Sequence, residues 1–480
     1  MRKSLAYALA TTLLGACGSD SASSLPSFED FSDGKYDTGY VGNRAAELDA
    51  TITGTVRVPQ PGKTAAELEA LATKLRTTPG DYALGSITIQ VTEQIKYARN
   101  ALKREHFDLN LEGGAPTFSR VVVENGALVL DYQVKVESLV KYKELEAQGL
   151  SIEDLVGKTV DARLPLAPDG LFGRIGAKCA TDPDSGAAVP EADVQEHNLF
   201  FYFDPARTGC PLADADLTTV RYAVATSADA PTVFPEYDRL VADGKITMVA
   251  IFGQIEHGTL SDSDWGFRSF KTFSRAFESR GFRKVETFAG NRGHKLARTY
   301  AGGLTVEVTM LTPVDFADSV PKETSSAKFR EAMRGNEVVY YNGHAFYGSL
   351  DVLNSRDAYP EGVYQVVFMD ACWSYAYYTK QVFRNRATAA DPNGWADVDV
   401  VNNTEPGITG SEETAAILYD NLFKGAQAVA QGKSARLYSW NKMIEYMNVS
   451  AEERAAERGG DHPDPEIYGV SGVRTNAFKP

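Results

Sequence analysis

In the second half of the chain, short apolar runs alternate with segments whose apolar residues recur every three or four positions. Short runs rich in Val, Tyr and Phe are typical of buried strands, and the three-four spacing gives a helix one apolar face. Strands that alternate with helices favour a mostly parallel sheet in a three-layer α/β domain. The predicted strands are Ile246–Glu256, Leu304–Leu311, a run ending at His344, a run ending at Cys372, and Val398–Val401. The predicted helices are Asp264–Arg280, Thr324–Arg334, Glu412–Gly425, capped by Thr409 or Ser411, and Ala435–Arg458.

The first half of the chain predicts a different architecture, in which strands predominate and helices are few. Asn125-Gly126 lies between the runs RVVVE and ALVLDYQV, which is a strong signal for a two-residue hairpin turn. We therefore predict a β-rich α+β domain over residues 50–235. It carries no chemical motif, so a prodomain, a substrate-docking module and a structural platform all remain open. Predicted strands are Ile87–Val91, Ser119–Val136, His197–Asp204 and Val220–Ala225, and predicted helices are Ala65–Arg76 and Glu137–Gln148.

The N-terminus has the pattern of an export signal. Arg2 and Lys3 precede a mostly apolar stretch, and Leu14-Gly15-Ala16-Cys17 is similar to a bacterial lipobox with Cys17 as the lipidated residue. We predict a lipoprotein signal peptide at 1–16, a disordered tether at 17–49 that is rich in Ser, Asp and Gly, and the α/β domain at 236–480. A secretory peptide cleaved nearby and a free N-terminal helix are the alternatives. The predicted location is the bacterial cell envelope, lipid-anchored and extracytoplasmic.

Composition narrows the range of partners. The chain has 480 residues, 43% of them hydrophobic and 24% charged, which is ordinary for a globular protein and long enough for two domains. The formal net charge of −15 disfavours nucleic acid and anionic lipid as partners. No later run approaches the length of about 18 apolar residues that a transmembrane helix needs, so the lipid at Cys17 is the only predicted membrane contact.

The four cysteines divide by position. With Cys17 lipidated, export makes a disulfide between Cys179 and Cys210 plausible. The loop it closes holds about 30 residues, which the chain-entropy account values at about 3 kcal/mol. Cys372 is then left over as a thiol, and an odd thiol in an exported protein is a candidate for reactivity.

Two apolar runs each stop at a reactive side chain. VVYYNGHAFYG contains His344, and VYQVVFMDACWS contains Cys372. The carboxyl ends of parallel strands border the crevice where ligands bind, so neighbouring strands would place an imidazole beside a thiol. A thiolate is the attacking species and an imidazole can accept and return its proton, which is the chemistry of a cysteine nucleophile with its base. The backbone N–H groups of Cys372 and of the residues after Gly343 are the natural oxyanion donors.

This pair resembles that of the caspase-like cysteine peptidases, the group of caspases, legumains, gingipains and clostripain. The Tyr-Asn-Gly-His and Asp-Ala-Cys runs are most similar to the gingipain side. The resemblance implies a caspase-like α/β/α sandwich, His344 as general base and acid, Cys372 as nucleophile, a thioester acyl-enzyme and a polypeptide substrate. It implies no metal and no cofactor. One residue departs from the pattern: Ala345 stands where these enzymes usually have Gly, and an Ala still donates its N–H but resists a positive φ.

Further residues are candidates for the crevice, and other functions remain open. His257, Asp370 and Trp373 are possible substrate-pocket residues, although a loop histidine, a strand-end carboxylate and a core aromatic are the plainer interpretations. The sequence has no HExxH, CxxC or GxSxG motif for a zinc site or a serine nucleophile. An inactive caspase-like binding protein, and a structural lipoprotein whose N-terminal domain does the work, are the alternative functions.

Overall fold

The computed structural model of the chain describes residues 39–78, 84–111, 114–227, 232–346, 350–408, 410–458 and 465–480. These residues fall into two units, one of residues 45–227 and one of residues 39–44 together with 232–480. The predicted signal peptide, Cys17 and most of the tether lie outside the described residues. Among the described residues, no helix combines the length and the apolar character that a membrane span requires.

The first unit contains a six-stranded antiparallel sheet with the strand order β2-β4-β1-β6-β5, in which β3 also pairs with β4. The predicted hairpin is confirmed: Asn125 and Gly126 have φ values of 50° and 72°, the left-handed conformation that a two-residue turn needs. Its strands are β1 Ala45–Pro59, β2 Asp108–Leu109, β3 Thr117–Glu124, β4 Ala127–Lys141, β5 Thr159–Pro165 and β6 Leu217–Ser227. Its helices are α1 Ala65–Thr77, α2 Gly85–Lys96, α3 Ala98–Arg104, α4 Tyr142–Gln148, α5 Leu171–Ile175 and α6 Leu199–Tyr202.

Four predictions for this half are wrong in whole or in part. The predicted helix Glu137–Gln148 begins too early, because residues 137–141 continue strand β4 and α4 begins at Tyr142. The Ile87–Val91 segment lies in helix α2, because Ile87, Val91 and Ile95 recur four apart and are all buried. The His197–Asp204 segment contains the short helix α6 in place of a strand. The predicted tether also extends too far, since β1 begins at Ala45 and runs along β4.

The disulfide prediction in this unit is confirmed. The sulfurs of Cys179 and Cys210 are bonded, and the cysteines are 31 positions apart in the chain.

The second unit contains an eight-stranded sheet with the order β14-β13-β12-β11-β7-β10-β9-β8. The five strands from β13 to β10 run parallel, and the outer strands β14, β9 and β8 add antiparallel edges. Its strands are β7 Lys245–Phe252, β8 Arg283–Phe288, β9 Gly293–Thr299, β10 Thr305–Leu311, β11 Val338–Asn342, β12 Gln365–Asp370, β13 Val398–Asn403 and β14 Tyr468–Ser471. Its helices are α7 Tyr237–Leu240, α8 Trp265–Ser279, α9 Lys322–Arg334, α10 Ser374–Arg386, α11 Glu412–Ala430 and α12 Trp440–Arg458.

Helices cover both faces of this sheet. Tyr340 of β11 stacks on Phe273 of α8, with ring centroids 4.9 Å apart. The next residue, Tyr341, packs on Phe329 of α9 at 5.4 Å. Successive side chains of a strand point to opposite faces, so α8 and α9 lie on opposite sides of β11. The α8 phenylalanines are buried as a core stripe, as the spacing predicts, and they are Phe267, Phe270, Phe273 and Phe277.

Candidate functional site

The two predicted reactive residues lie at the same edge of the sheet. Strands β11 and β12 are parallel neighbours, and Asn342 is the register partner of Asp370. These two residues end their strands, and His344 and Cys372 each follow two positions later. Because β11 and β12 are parallel, and His344 and Cys372 each lie two residues beyond the Asn342–Asp370 register pair, both residues are at the carboxyl end of the sheet. We call this edge the rim.

His344 is held in one orientation by a backbone acceptor. Its Nε2 lies 2.8 Å from the carbonyl oxygen of Ile255, which follows β7. A carbonyl only accepts, so Nε2 carries the hydrogen and Nδ1 is the basic nitrogen of the neutral ring. Burial lowers the pKa of His344, and nearby His257 lowers it further. The ring is therefore neutral near pH 7, which is the state a general base needs.

The predicted pocket residue His257 lies directly beside His344. The two imidazole rings are stacked, with centroids 5.3 Å apart and planes 7° from parallel. His257 is 40% exposed in its side chain, and its Nδ1 lies 3.6 Å from a carboxylate oxygen of Asp318. The exposed ring thus covers the buried one at the surface of the rim.

The exit from β11 depends on Gly343. The Tyr341 hydroxyl turns back and donates to the carbonyl oxygen of His344 over 3.0 Å. A Cβ on Gly343 would lie 2.4 Å from that hydroxyl oxygen, which is far inside contact distance. The next carbonyl, that of Ala345, accepts a hydrogen bond from Tyr378 of α10. The left-handed residue of this segment is Phe346, with φ 47°, and not Ala345, so the alanine is not strained by its φ.

Cys372 lies in the sharp turn between β12 and α10. Trp373 has φ 46° and immediately precedes the first residue of the helix, and its N–H donates to the carbonyl of Glu405 over 2.9 Å. A Cβ on Gly407 would lie 3.2 Å from the nitrogen of Cys372, so the segment around Glu405 and Gly407 covers the cysteine closely. Both reactive side chains are buried, with 4% of Cys372 and 3% of His344 exposed.

The expectation that Cys372 is left over as a thiol does not hold in this structure. Cys372 is disulfide-bonded, and no cysteine of the described residues is free. Any chemistry at Cys372 therefore belongs to the reduced protein.

Asp370 belongs to a buried hydrogen-bonded cluster at the rim. Its Oδ2 accepts from the hydroxyl of Tyr340 at 2.7 Å, the amide of Asn342 at 3.1 Å and the hydroxyl of Ser411 at 2.8 Å. Burial raises the pKa of Asp370 to about 6. The Ser411 side chain makes no cap hydrogen bond at the start of α11, and its hydroxyl donates to Asp370. Thr409, the other predicted cap, lies outside the described residues. The carboxylate thus joins β11, β12 and the start of α11.

A cavity of about 460 Å³ borders His344 on the α9 face of the sheet. Apolar side chains form much of its wall, and Cys372, Asp370 and Trp373 are not among the described residues that line it. The described residues of its lining include Phe316, Phe329, Tyr341, His344 and Phe346. The cavity therefore lies on the histidine side of the rim.

Comparisons with protein-family models, curated proteins and solved structures found no match to this chain. Among the described residues there is also no group of three His, Cys, Asp or Glu side chains placed to hold a metal ion. The case for a function consequently depends on the geometry of the rim.

Proposed function

We propose that the chain is a cysteine peptidase in which Cys372 and His344 act as a dyad, within a second unit of caspase-like α/β/α architecture. The observation that carries the proposal is the register of β11 and β12, which gives the two residues equal offsets from the Asn342–Asp370 pair. We also propose that the first unit is a β-rich domain preceding the peptidase, and that a lipid at Cys17 anchors the protein in the bacterial envelope.

The proposed reaction starts from reduced Cys372. Nδ1 of His344 takes the thiol proton, and the thiolate attacks the scissile carbonyl carbon to form a tetrahedral oxyanion. The intermediate expels the amine, which takes the proton back from His344, and leaves a thioester on Cys372. Water then gives a proton to His344 and hydroxide to the thioester, which releases the acid and restores the thiol.

Two local features support this role. Cys372 lies two residues before Ser374, the first residue of the 13-residue helix α10, and a helix N-terminus stabilises negative charge. The backbone N–H groups of Cys372 and Ala345 are the proposed oxyanion donors. Ala345 is fixed by the Tyr378 contact, which joins the histidine segment to the helix that follows the cysteine.

A peptide-library cleavage assay on the reduced full-length protein tests the proposal. We expect Cys372→Ala and His344→Ala each to lower the cleavage rate by about 1,000-fold or more, with little change in melting temperature. Gly85→Ala is a matched control, because a Cβ there meets nothing within 4 Å and lies far along the chain from the dyad. Equal cleavage by wild type and Cys372→Ala would rule out the nucleophile.

One observation favours a second candidate, a binding protein without catalysis. Both reactive side chains are almost fully buried, and Cys372 is disulfide-bonded. Reduction followed by a small thiol-directed electrophile separates the two candidates. Modification of Cys372 within minutes, detected by mass spectrometry, supports the peptidase, whereas an inert Cys372 in a folded, reduced sample supports the binding protein.

A further inference from the structure

A second cavity, of about 520 Å³, lies at the edge of the sheet formed by β8 and β9. Cys372 follows β12, which lies toward the opposite edge. The cavity is formed between the exposed face of α8 and the hairpin of β8 and β9. Strands β7 and β10 separate this hairpin from β11, which carries His344, so the cavity is not part of the rim.

The floor of this cavity is a buried polar pair. His294 and Ser274 are 6% and 5% exposed, and Nε2 of the imidazole lies 2.9 Å from the serine hydroxyl. The same hydroxyl donates to a carboxylate oxygen of Glu278 over 3.3 Å. Because the hydroxyl donates to Glu278, His294 is the donor to Ser274, and the ring presents a fixed dipole to the cavity. The Phe270 ring holds the imidazole from one side, with centroids 5.0 Å apart.

The walls carry three exposed cations. Lys271 and Arg275 lie one turn apart on α8, and Lys284 faces them from β8. None of the three pairs with a carboxylate of the described residues, although the chain has a net charge of −15. Nearby Lys295 and Arg280, by contrast, lie 3.8 Å and 3.7 Å from carboxylates. The cations around the cavity are therefore left without the counter-charge that neighbouring cations have.

Glu278 is the only carboxylate among the described residues that line the cavity. Three cations against one anion leave an excess of two positive charges when His294 is neutral. Thr287 and Asn291 add uncharged hydrogen-bonding groups to the wall, and Phe288 adds a half-buried apolar surface. Lysine and arginine are the side chains that bind phosphate oxygens best, through charge-assisted hydrogen bonds.

We propose that this cavity binds a small doubly charged oxyanion, a phosphate group either free or carried on a small organic body. Lys271, Arg275 and Lys284 bind its oxygens, and the His294–Ser274 pair forms the floor. The excess of two positive charges favours a dianion over a monoanion, because the net attraction grows with the charge of the ligand, and the negative charge of Glu278 reduces that attraction. The site is independent of the peptidase proposal, because it shares no residue with the rim.

Titration with inorganic phosphate, followed by NMR of the His294 ring, tests the site. We expect saturable shifts of the ring signals in the full-length protein, and no such shifts with sodium chloride at matched ionic strength. Lys271→Gln and Lys284→Gln should each weaken binding about tenfold, the size of one charge-assisted hydrogen bond. Lys328→Gln on α9 is the control, because it removes an equally exposed positive charge from another helix.

A parallel titration with glycerol 3-phosphate distinguishes the two sources of the group. Tighter binding of the ester than of inorganic phosphate supports an organic phosphate as the ligand, and tighter binding of the free ion supports phosphate itself. The proposal is overturned if neither compound gives saturable shifts, or if the Lys271 and Lys284 variants bind as tightly as the Lys328 variant.

Discussion

Two aspartates on neighbouring strands have closely matched surroundings at opposite ends of the sheet. Asp370 is the last residue of β12, and Asp399 is the second residue of β13. Burial raises the pKa of Asp370 to about 6 and that of Asp399 to about 7, from an ordinary value of 3.8. In both, Oδ2 accepts three side-chain hydrogen bonds and Oδ1 has no partner among the described residues.

The partners of the two carboxylates differ in what they connect. Asp399 accepts from Tyr364 at 2.6 Å, from the indole of Trp440 at 2.6 Å and from the amide of Asn476 at 2.8 Å. It therefore joins α12 and the C-terminal segment to the amino end of the sheet. Asp370 joins the strand ends beside His344 and Cys372. A raised pKa by itself therefore does not identify a functional carboxylate. What distinguishes Asp370 from Asp399 is its position at the carboxyl end of its strand, beside the proposed dyad.

Removing each carboxylate should separate stability from function, and this is the largest effect that we expect from comparing the two aspartates. Asp370→Ala and Asp399→Ala each leave three buried donors without an acceptor, so both should lower the free energy of unfolding by about 2–4 kcal/mol. Only Asp370→Ala should also lower peptide cleavage, by about 100-fold, because it releases the ends of β11 and α11 at the rim.

Cleavage rates and denaturant unfolding, both measured well below the melting temperature, check this expectation. Asp399→Ala serves as the control that is equally destabilised and still active. An equal loss of cleavage in both variants would mean that Asp370 acts through stability alone.

The architecture of the second unit was readable from the sequence because its strands are buried on both faces. The runs ending at His344 and Cys372 are continuous and apolar, and they occupy neighbouring central strands. Strand β8 gave no such signal, since its residues are almost all exposed and only pairing with β9 holds them extended. In the first unit, β-branched residues at Ile87 and Val91 favoured a strand, but their spacing of four belongs to the helix that forms.

The site was only partly readable, because its supporting contacts come from distant segments. A short apolar run identifies the strand end that carries His344, but nothing in the pattern indicates that the Ile255 carbonyl orients the ring. Ser411 was predicted as a helix cap from its position, whereas its hydroxyl is bonded to Asp370, which is 41 positions away in the chain. Hydrogen bonds over such separations depend on the packed fold and have no local signature.

The pH dependence of stability should distinguish the two aspartates next. An acid whose pKa is higher in the folded than in the unfolded chain keeps its proton longer when folded, so its contribution is complete below about pH 4 and is lost as pH rises. The loss should end near pH 6 for Asp370 and near pH 7 for Asp399, with a slope of up to about 1.4 kcal/mol per pH unit for each.

Asparagine variants measured by urea unfolding from pH 4 to pH 8 check these windows. Asp399→Asn should flatten the profile between pH 6 and 7, where Asp370 is already ionised. Asp370→Asn should leave that interval sloping and should reduce the slope only below about pH 6, where Asp399 still contributes its own slope. Identical profiles for both variants would contradict the difference between the two pKa values.

A substitution at the exit of β11 tests how tightly the rim is fixed. Gly343→Ala places a Cβ 2.4 Å from the Tyr341 hydroxyl oxygen, so that hydroxyl must leave the His344 carbonyl. We expect a loss of about 1–3 kcal/mol in unfolding free energy together with a reduced cleavage rate. Gly85→Ala in α2 is the control, since open space around that position predicts unchanged or slightly raised stability. A Gly343→Ala protein as stable and active as wild type would show that Tyr341 does not fix the carbonyl.

The smallest expected effect comes from removing one donor of the Asp370 cluster. Ser411→Ala deletes a hydroxyl that makes no cap for α11, so helix stability is not involved and the loss should be about 1 kcal/mol. The serine hydrogen bond lowers the pKa of Asp370 against the larger effect of burial. Without it, the pKa should rise above 6 and the pH-dependent loss of stability should extend upward, toward the window of Asp399. Carboxyl ¹³C titration of Asp370 measures this shift directly. An unchanged or lower pKa would mean that the serine hydroxyl does not stabilise the ionised carboxylate, and that the resemblance between the two aspartates ends with their burial.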